Sequence, residues 1–191
     1  MGETTPNQTT DPLGRVTRLS RIGLWVSTGA LILAIGILVF LLWNMLTGQP
    51  DYIDILIEDL SLTKYVDTMS LPQVIASGLL WASVDILGVL MLWEVRALFR
   101  GFLRSGVFTE SSALCLRRIG LIVLVMGPVS IVSGTLAGML ISFWQSGNSV
   151  HGSISIDDSD VYAIVIGLVI TAVSHIMLEA TRLNQENKAF V

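Results

Sequence analysis

One cysteine, five prolines and two histidines among 191 residues leave little material for most site chemistries. The lone thiol, Cys115, cannot build a disulfide framework, a Cys-x-x-Cys redox pair or a thiolate zinc site within one chain, and reads as a small apolar helix residue. His151 and the run Asp157-Asp158-Ser159-Asp160 lack the shaped loop of six or more oxygens that calcium requires, so that stretch reads as a solvated acidic loop. There is no Gly-rich phosphate loop, no His-Glu-x-x-His and no nucleophile-base-acid set. No catalytic residue, metal ligand or cofactor site is assigned, and enzymatic activity is not expected. Charge is scarce as well, at 14% of residues. The few basic residues flank apolar runs rather than forming a patch, which argues against direct nucleic-acid binding.

What the chain has in quantity is apolar length. Hydrophobic residues make up 52% of it, and the mean hydropathy is +0.73. Four runs, 22–43, 73–93, 119–143 and 161–178, each reach across a hydrocarbon layer of ~30 Å at ~1.5 Å per residue. The expected fold class is all-α: a polytopic membrane protein of four transmembrane helices in a bundle. The first run is longer than a signal-peptide core and lacks a small-x-small cleavage pattern after Trp43, so it is expected to stay.

Charge asymmetry sets the expected orientation. Ten of the eleven basic residues, Arg15, Arg18, Arg21, Arg96, Arg100, Arg104, Arg117, Arg118, Arg182 and Lys188, fall on one side of the four runs. Only Lys64 falls on the other, with Asp51, Asp54, Glu58, Asp59, Asp67, Asp157, Asp158 and Asp160. The positive-inside rule then places both termini in the cytoplasm.

The chain divides into a disordered cytoplasmic tail (1–14), a transmembrane domain (15–181) and a second cytoplasmic tail (182–191). Outside loops are expected at 44–72 and 144–160, the first with a short interfacial helix after Pro50. In the cytoplasmic loop 94–118, Arg96, Arg100 and Arg104 recur every four residues, which extends the second helix to about Leu103. Ser105-Gly106 stops it, and Thr109 caps the next helix with Glu110 in its first turn. Leu19-Ser20-Arg21-Ile22-Gly23-Leu24 and Leu116-Arg117-Arg118-Ile119-Gly120-Leu121 read as one repeat opening the first and third runs. Two hairpins of equal orientation would follow.

The segment Leu98-Phe99-Arg100-Gly101-Phe102-Leu103-Arg104-Ser105-Gly106-Val107-Phe108-Thr109-Glu110, then Leu116-Arg117-Arg118-Ile119-Gly120, resembles the signature of a bacterial four-span family known as domain of unknown function 2975. Ala180-Thr181-Arg182-Leu183-Asn184-Gln185-Glu186-Asn187 continues the resemblance. It covers roughly residues 98–191, while only hydropathy agrees over the first two runs. The resemblance implies a multi-pass protein of the bacterial inner membrane, with a small helix-turn-helix regulator as partner. It brings no catalytic residues. The acidic first loop and Asp85 depart from the family's pattern.

Asp85 lies near the middle of the second run, where a carboxylate costs about 2.5–3.5 kcal/mol on insertion scales unless it faces the interior or is protonated. It is either a protonatable switch or a hydrogen-bond partner of Thr28, Ser130, Ser133 or Thr171. His175, counted back from Arg182, falls about one turn nearer the cytoplasm, so a direct pair would need tilt or a bridging water. Ser130, Gly134 and Gly138 are spaced for close helix contact, expected within the chain, with a homo-oligomer as the alternative. Gly127-Pro128 should kink the third helix.

Two functions remain open. A regulatory partner would hold a cytoplasmic helix-turn-helix transcription factor through Arg96, Arg100, Phe102, Arg104, Phe108, Arg117, Arg118 and Arg182, some of which must also serve topology and anionic lipid. A small ion-coupled transporter would instead use Asp85 and His175.

Overall fold

The structure, a computed structural model, describes residues 12–47, 71–105, 109–145, 154 and 156–189. Four helices make up almost all of it: α1 (Pro12–Thr47), α2 (Leu71–Ser105), α3 (Glu110–Gln145) and α4 (Asp158–Ala189). Local chemistry explains their starts. Pro12 and Pro72 occupy first turns, where a missing N–H is harmless. Thr109 caps α3 as its position suggests, its Oγ1 accepting the Ser112 N–H at 3.3 Å. α2 ends at Ser105, just before Gly106.

The start of α4 corrects the reading of 157–160 as a solvated loop. Asp157 precedes the helix, and its backbone N–H donates to Asp160 Oδ2 at 3.2 Å. Its own Oδ1 accepts the Asp158 N–H at 3.0 Å. This reciprocal arrangement satisfies helix-end donors and places carboxylates at the positive end of the helix dipole. Asp160 is consequently buried.

Each helix contains a stretch long and apolar enough to cross a membrane. Leu, Ile and Val side chains lie exposed around all four, as they do where hydrocarbon rather than water is the solvent. On α1, the exposed Trp25 and Trp43 stand 18 residues apart, about 27 Å, the separation of the two aromatic belts of a bilayer.

Interhelix contact is made by small residues. Val74, Ser77, Ala113, Ala137 and Ser174 are fully or almost fully buried. The buried hydroxyls bond inside their own helices: Ser77 Oγ donates to the Gln73 carbonyl at 2.8 Å and Ser174 Oγ to the Thr171 carbonyl at 2.7 Å. With lipid as apolar as leucine, close van der Waals packing is what draws such helices together, and small side chains permit it.

The widest contact joins α3 to α4, followed by α2 to α3 and α1 to α2. Among the described residues, extensive contacts run only between chain neighbours, so the bundle is an open row with α1 and α4 at its ends. The outer surface of α1 explains why the row does not close. Trp25, Ile32, Phe40 and Trp43 project from it, a bulky apolar face suited to lipid.

Glycines set the α3–α4 register. A Cβ built on Gly127 would lie 2.7 Å from the Asp160 carbonyl oxygen, and one on Gly120 would lie 2.8 Å from the Thr171 nitrogen. One on Gly167 would lie 2.6 Å from Leu124 Cα. Ala113, Gly120 and Gly127 on α3, and Asp160, Gly167 and Ser174 on α4, are all buried and all spaced by seven. The expectation that Gly134 and Gly138 make close contact inside the chain is corrected, because a Cβ built on either would meet nothing within 4 Å among the described residues. The α4 helix begins near Gly127, so it ends short of that part of α3.

The repeated glycines do match in role. Gly23 meets the Phe99 ring of the following helix, as Gly120 meets Thr171. The two hairpins differ in register, however, since these contacts fall at different points of α2 and α4.

Candidate functional site

Antiparallel packing gathers Arg18, Arg21, Arg96, Arg100, Arg104, Arg117, Arg118 and Arg182 at one end of the row. Two of them have acidic partners. Arg118 Nη1 lies 3.4 Å from Glu94 Oε1, joining α3 to α2. Arg182 Nε lies 3.1 Å from Glu186 Oε1 one turn along α4. The Arg118 side chain is 65% exposed, so water screens the first pair and its contribution stays within about 1 kcal/mol.

The remaining arginines make no ion pair among the described residues. Arg18, Arg21, Arg100, Arg104 and Arg117 are exposed. Arg96 is half-buried, and its Nε is shielded without a hydrogen-bond partner. Phe102 is half-buried, edge-on to Phe99 with ring centroids 6.0 Å apart. Phe108 lies outside the described residues. Where α3 begins beside α4, Glu110, Leu178, Glu179, Thr181 and Arg182 line a cavity of about 210 Å³. The sequence reading missed this cavity; its one available signal was the pair of acids, Glu110 and Glu179, set among arginines. The segment after Thr181 continues α4 as far as Ala189.

Asp85 does not turn inward. It is exposed, with no hydrogen bond or ion pair among the described residues. The inner surface of α2 is taken by Val74, Ser77, Gly78 and Ala82. Three of its four suggested partners are engaged elsewhere; Thr28 Oγ1 donates to the Leu24 carbonyl at 2.6 Å and Thr171 Oγ1 to the Gly167 carbonyl at 2.7 Å. Ser133 shares a hydrogen bond with Ser83 across 3.1 Å, a polar link between α2 and α3 that the sequence reading missed.

His175 is exposed too, and α3 stands between it and Asp85. Their depths differ widely. Asp85 falls between Ser83, which meets Ser133, and Gly88, which faces Met126, so it is level with about residue 130 of α3. Thr171 packs on Gly120, so His175 one turn further is level with about residue 116. The offset is roughly 20 Å at ~1.5 Å per residue. A direct or water-bridged pair within one chain is therefore excluded.

On the outer side of α3, Leu124, Val125, Pro128, Val129, Val132, Ser133 and Ile164 line an open apolar groove of about 450 Å³. The helix runs unbroken through Pro128. No group of three His, Cys, Asp or Glu side chains comes together among the described residues.

Four long apolar helices with small-residue contacts define a membrane protein whose described arginines collect at one end. Within that class, the chain belongs to the family described as protein of unknown function DUF2975, matched over residues 58–191. The match takes in all of α2, α3 and α4 and leaves α1 outside. No curated protein and no solved structure matches the chain.

Proposed function

We propose that the chain is a non-enzymatic regulatory partner in the bacterial inner membrane, both termini cytoplasmic, that binds a small helix-turn-helix transcription factor. The observation that carries the reading is the helical platform at the arginine-bearing end. There α4 runs on to Ala189, Thr109 caps the start of α3, and the Glu110–Arg182 cavity opens between α3 and α4. Arg182 lines that cavity, Arg104 and Arg117 are exposed at the same end, and Phe102 is partly so. Charges of this kind steer and orient a partner, while an aromatic anchor and a cavity supply contact area.

The test is co-purification with a small helix-turn-helix regulator from the same cell. Capture should occur with the parent chain and fail after R104E/R117E. It should return when acids on the regulator are changed to lysine. Undiminished capture by the reversed chain would remove this surface from the reading. The ion-coupled alternative is less well supported, because Asp85 and His175 sit on separate helices at separate depths.

A further inference from the structure

One strip of α2 changes character along its length. Ile86, Trp93 and Arg100 recur every seven residues, with Leu90 and Arg96 beside them. Ile86, Leu90, Trp93 and Arg100 are exposed, and Trp93 is 58% so. Side chains at this spacing share one face of a helix. That face is apolar, then carries an interfacial tryptophan, then is cationic.

We infer that this strip, with Arg21 of α1, binds an anionic phospholipid in the leaflet at the arginine-bearing end. The acyl chains would lie along Ile86 and Leu90, and Trp93 would mark the headgroup boundary. Arg96 and Arg100 would take the phosphate. The contact of Gly23 with Phe99 sets α1 against α2 so that Arg21 stands level with Arg100 on the neighbouring helix. Three cations with no acidic partner among the described residues thus fall at headgroup depth, whereas Arg118 and Arg182 already have glutamates.

Arg96 supplies the most specific signal. Its Nε is withdrawn from solvent with no acceptor among the described residues, which is unfavourable for a charged donor; turning the guanidinium outward would bring it within reach of a phosphate. Phosphate oxygens suit a guanidinium, accepting two parallel N–H bonds in one plane. The ligand must also be an amphiphile, because the apolar upper part of the strip faces hydrocarbon, where a soluble acidic protein cannot follow. The inference does not depend on the regulatory reading, and its test needs no protein partner.

The test uses the full chain in phosphatidylcholine vesicles carrying brominated phosphatidylglycerol or brominated phosphatidylcholine. Quenching is read from a variant that keeps Trp93 and has phenylalanine at the other four tryptophans. Three nearby arginines should favour phosphatidylglycerol on the order of a hundredfold, and R96Q or R100Q should each lower that ratio roughly fivefold. R182Q, whose arginine is paired, should leave it unchanged. Native mass spectrometry of lipid adducts on the unaltered chain gives the same ratio without relying on the tryptophan replacements. Equal association of the two lipids, or a preference that survives R96Q/R100Q, would overturn the proposal. So would displacement of the lipid by millimolar inorganic phosphate, which would assign the strip to a soluble anion.

Discussion

Replacing Gly167 by alanine puts one methyl group where another backbone already stands. The new Cβ would lie 2.6 Å from Leu124 Cα and 2.9 Å from the Gly120 carbonyl oxygen. Both are main-chain atoms inside α3, so neither can rotate away. Restoring ordinary contact requires α3 and α4 to separate by roughly 1 Å, enough to forfeit a quarter to a half of each van der Waals well along the opened seam. Overpacking of this kind costs about 1–3 kcal/mol. Exchanging glycine for alanine inside a helix returns up to about 1 kcal/mol. The expected net loss is about 1–2 kcal/mol. Gly134→Ala is the matched control, since the added Cβ would meet nothing within 4 Å among the described residues. Only the helix-propensity gain remains there, so it should be neutral or stabilise by up to about 1 kcal/mol. Reversible unfolding by steric trapping in bicelles measures both. The packing argument fails if Gly167→Ala matches the parent, or if Gly134→Ala is equally damaging.

Three further outcomes follow from the same geometry. Ser133→Ala should cost about 0.6 kcal/mol, at most about 1.7 kcal/mol, and the Ser83→Ala/Ser133→Ala double variant should be no worse than Ser83→Ala alone, because Ser83→Ala already removes the shared hydrogen bond along with its own bond to the Leu80 carbonyl. Additive losses in the same unfolding assay would show that the hydroxyls act separately. Asp157→Ala should cost about 1 kcal/mol and speed amide hydrogen exchange in the first turn of α4, leaving α3 unaffected. Unchanged exchange there would dismiss the cap. Asp85→Asn and His175→Gln should combine additively to within about 0.5 kcal/mol, and a larger coupling would contradict the ~20 Å offset between them.

Much of the fold is legible in the sequence because its signals are local. Apolar run length reports the four helices. Thr109 with Glu110, and Ser105 with Gly106, report where α3 begins and α2 ends. The acidic run at 157–160 was legible in principle, as a helix start of the Asp-x-x-Asp kind, but its excess of carboxylates reads equally well as a solvated loop. The glycine contacts were half legible. Four-residue spacing pointed to Ser130, Gly134 and Gly138, while the glycines that meet α4 are Gly120 and Gly127, seven apart and aligned with Ala113. Spacing alone does not say how far a neighbouring helix extends. The short reach of α4 decides which glycines of α3 it can touch.

Register between helices is what the sequence hides, and it governs the candidate sites. Depth counted from flanking arginines assumes that all four helices cross at the same level. On that count His175 and Asp85 differ by about one turn. The contacts of Gly120 with Thr171 and of Gly127 with Asp160 slide α4 toward the arginine-bearing end, because the small residues of its seam must face those of α3. Arg182 moves with it, well below Arg118, and so does His175. The same displacement places Glu179 and Arg182 beside Glu110, opening the cavity at the start of α3. Close packing of glycines thus separates the one acid and the one histidine that hydropathy puts together. It also assembles a charged recess from residues that the sequence keeps some seventy positions apart.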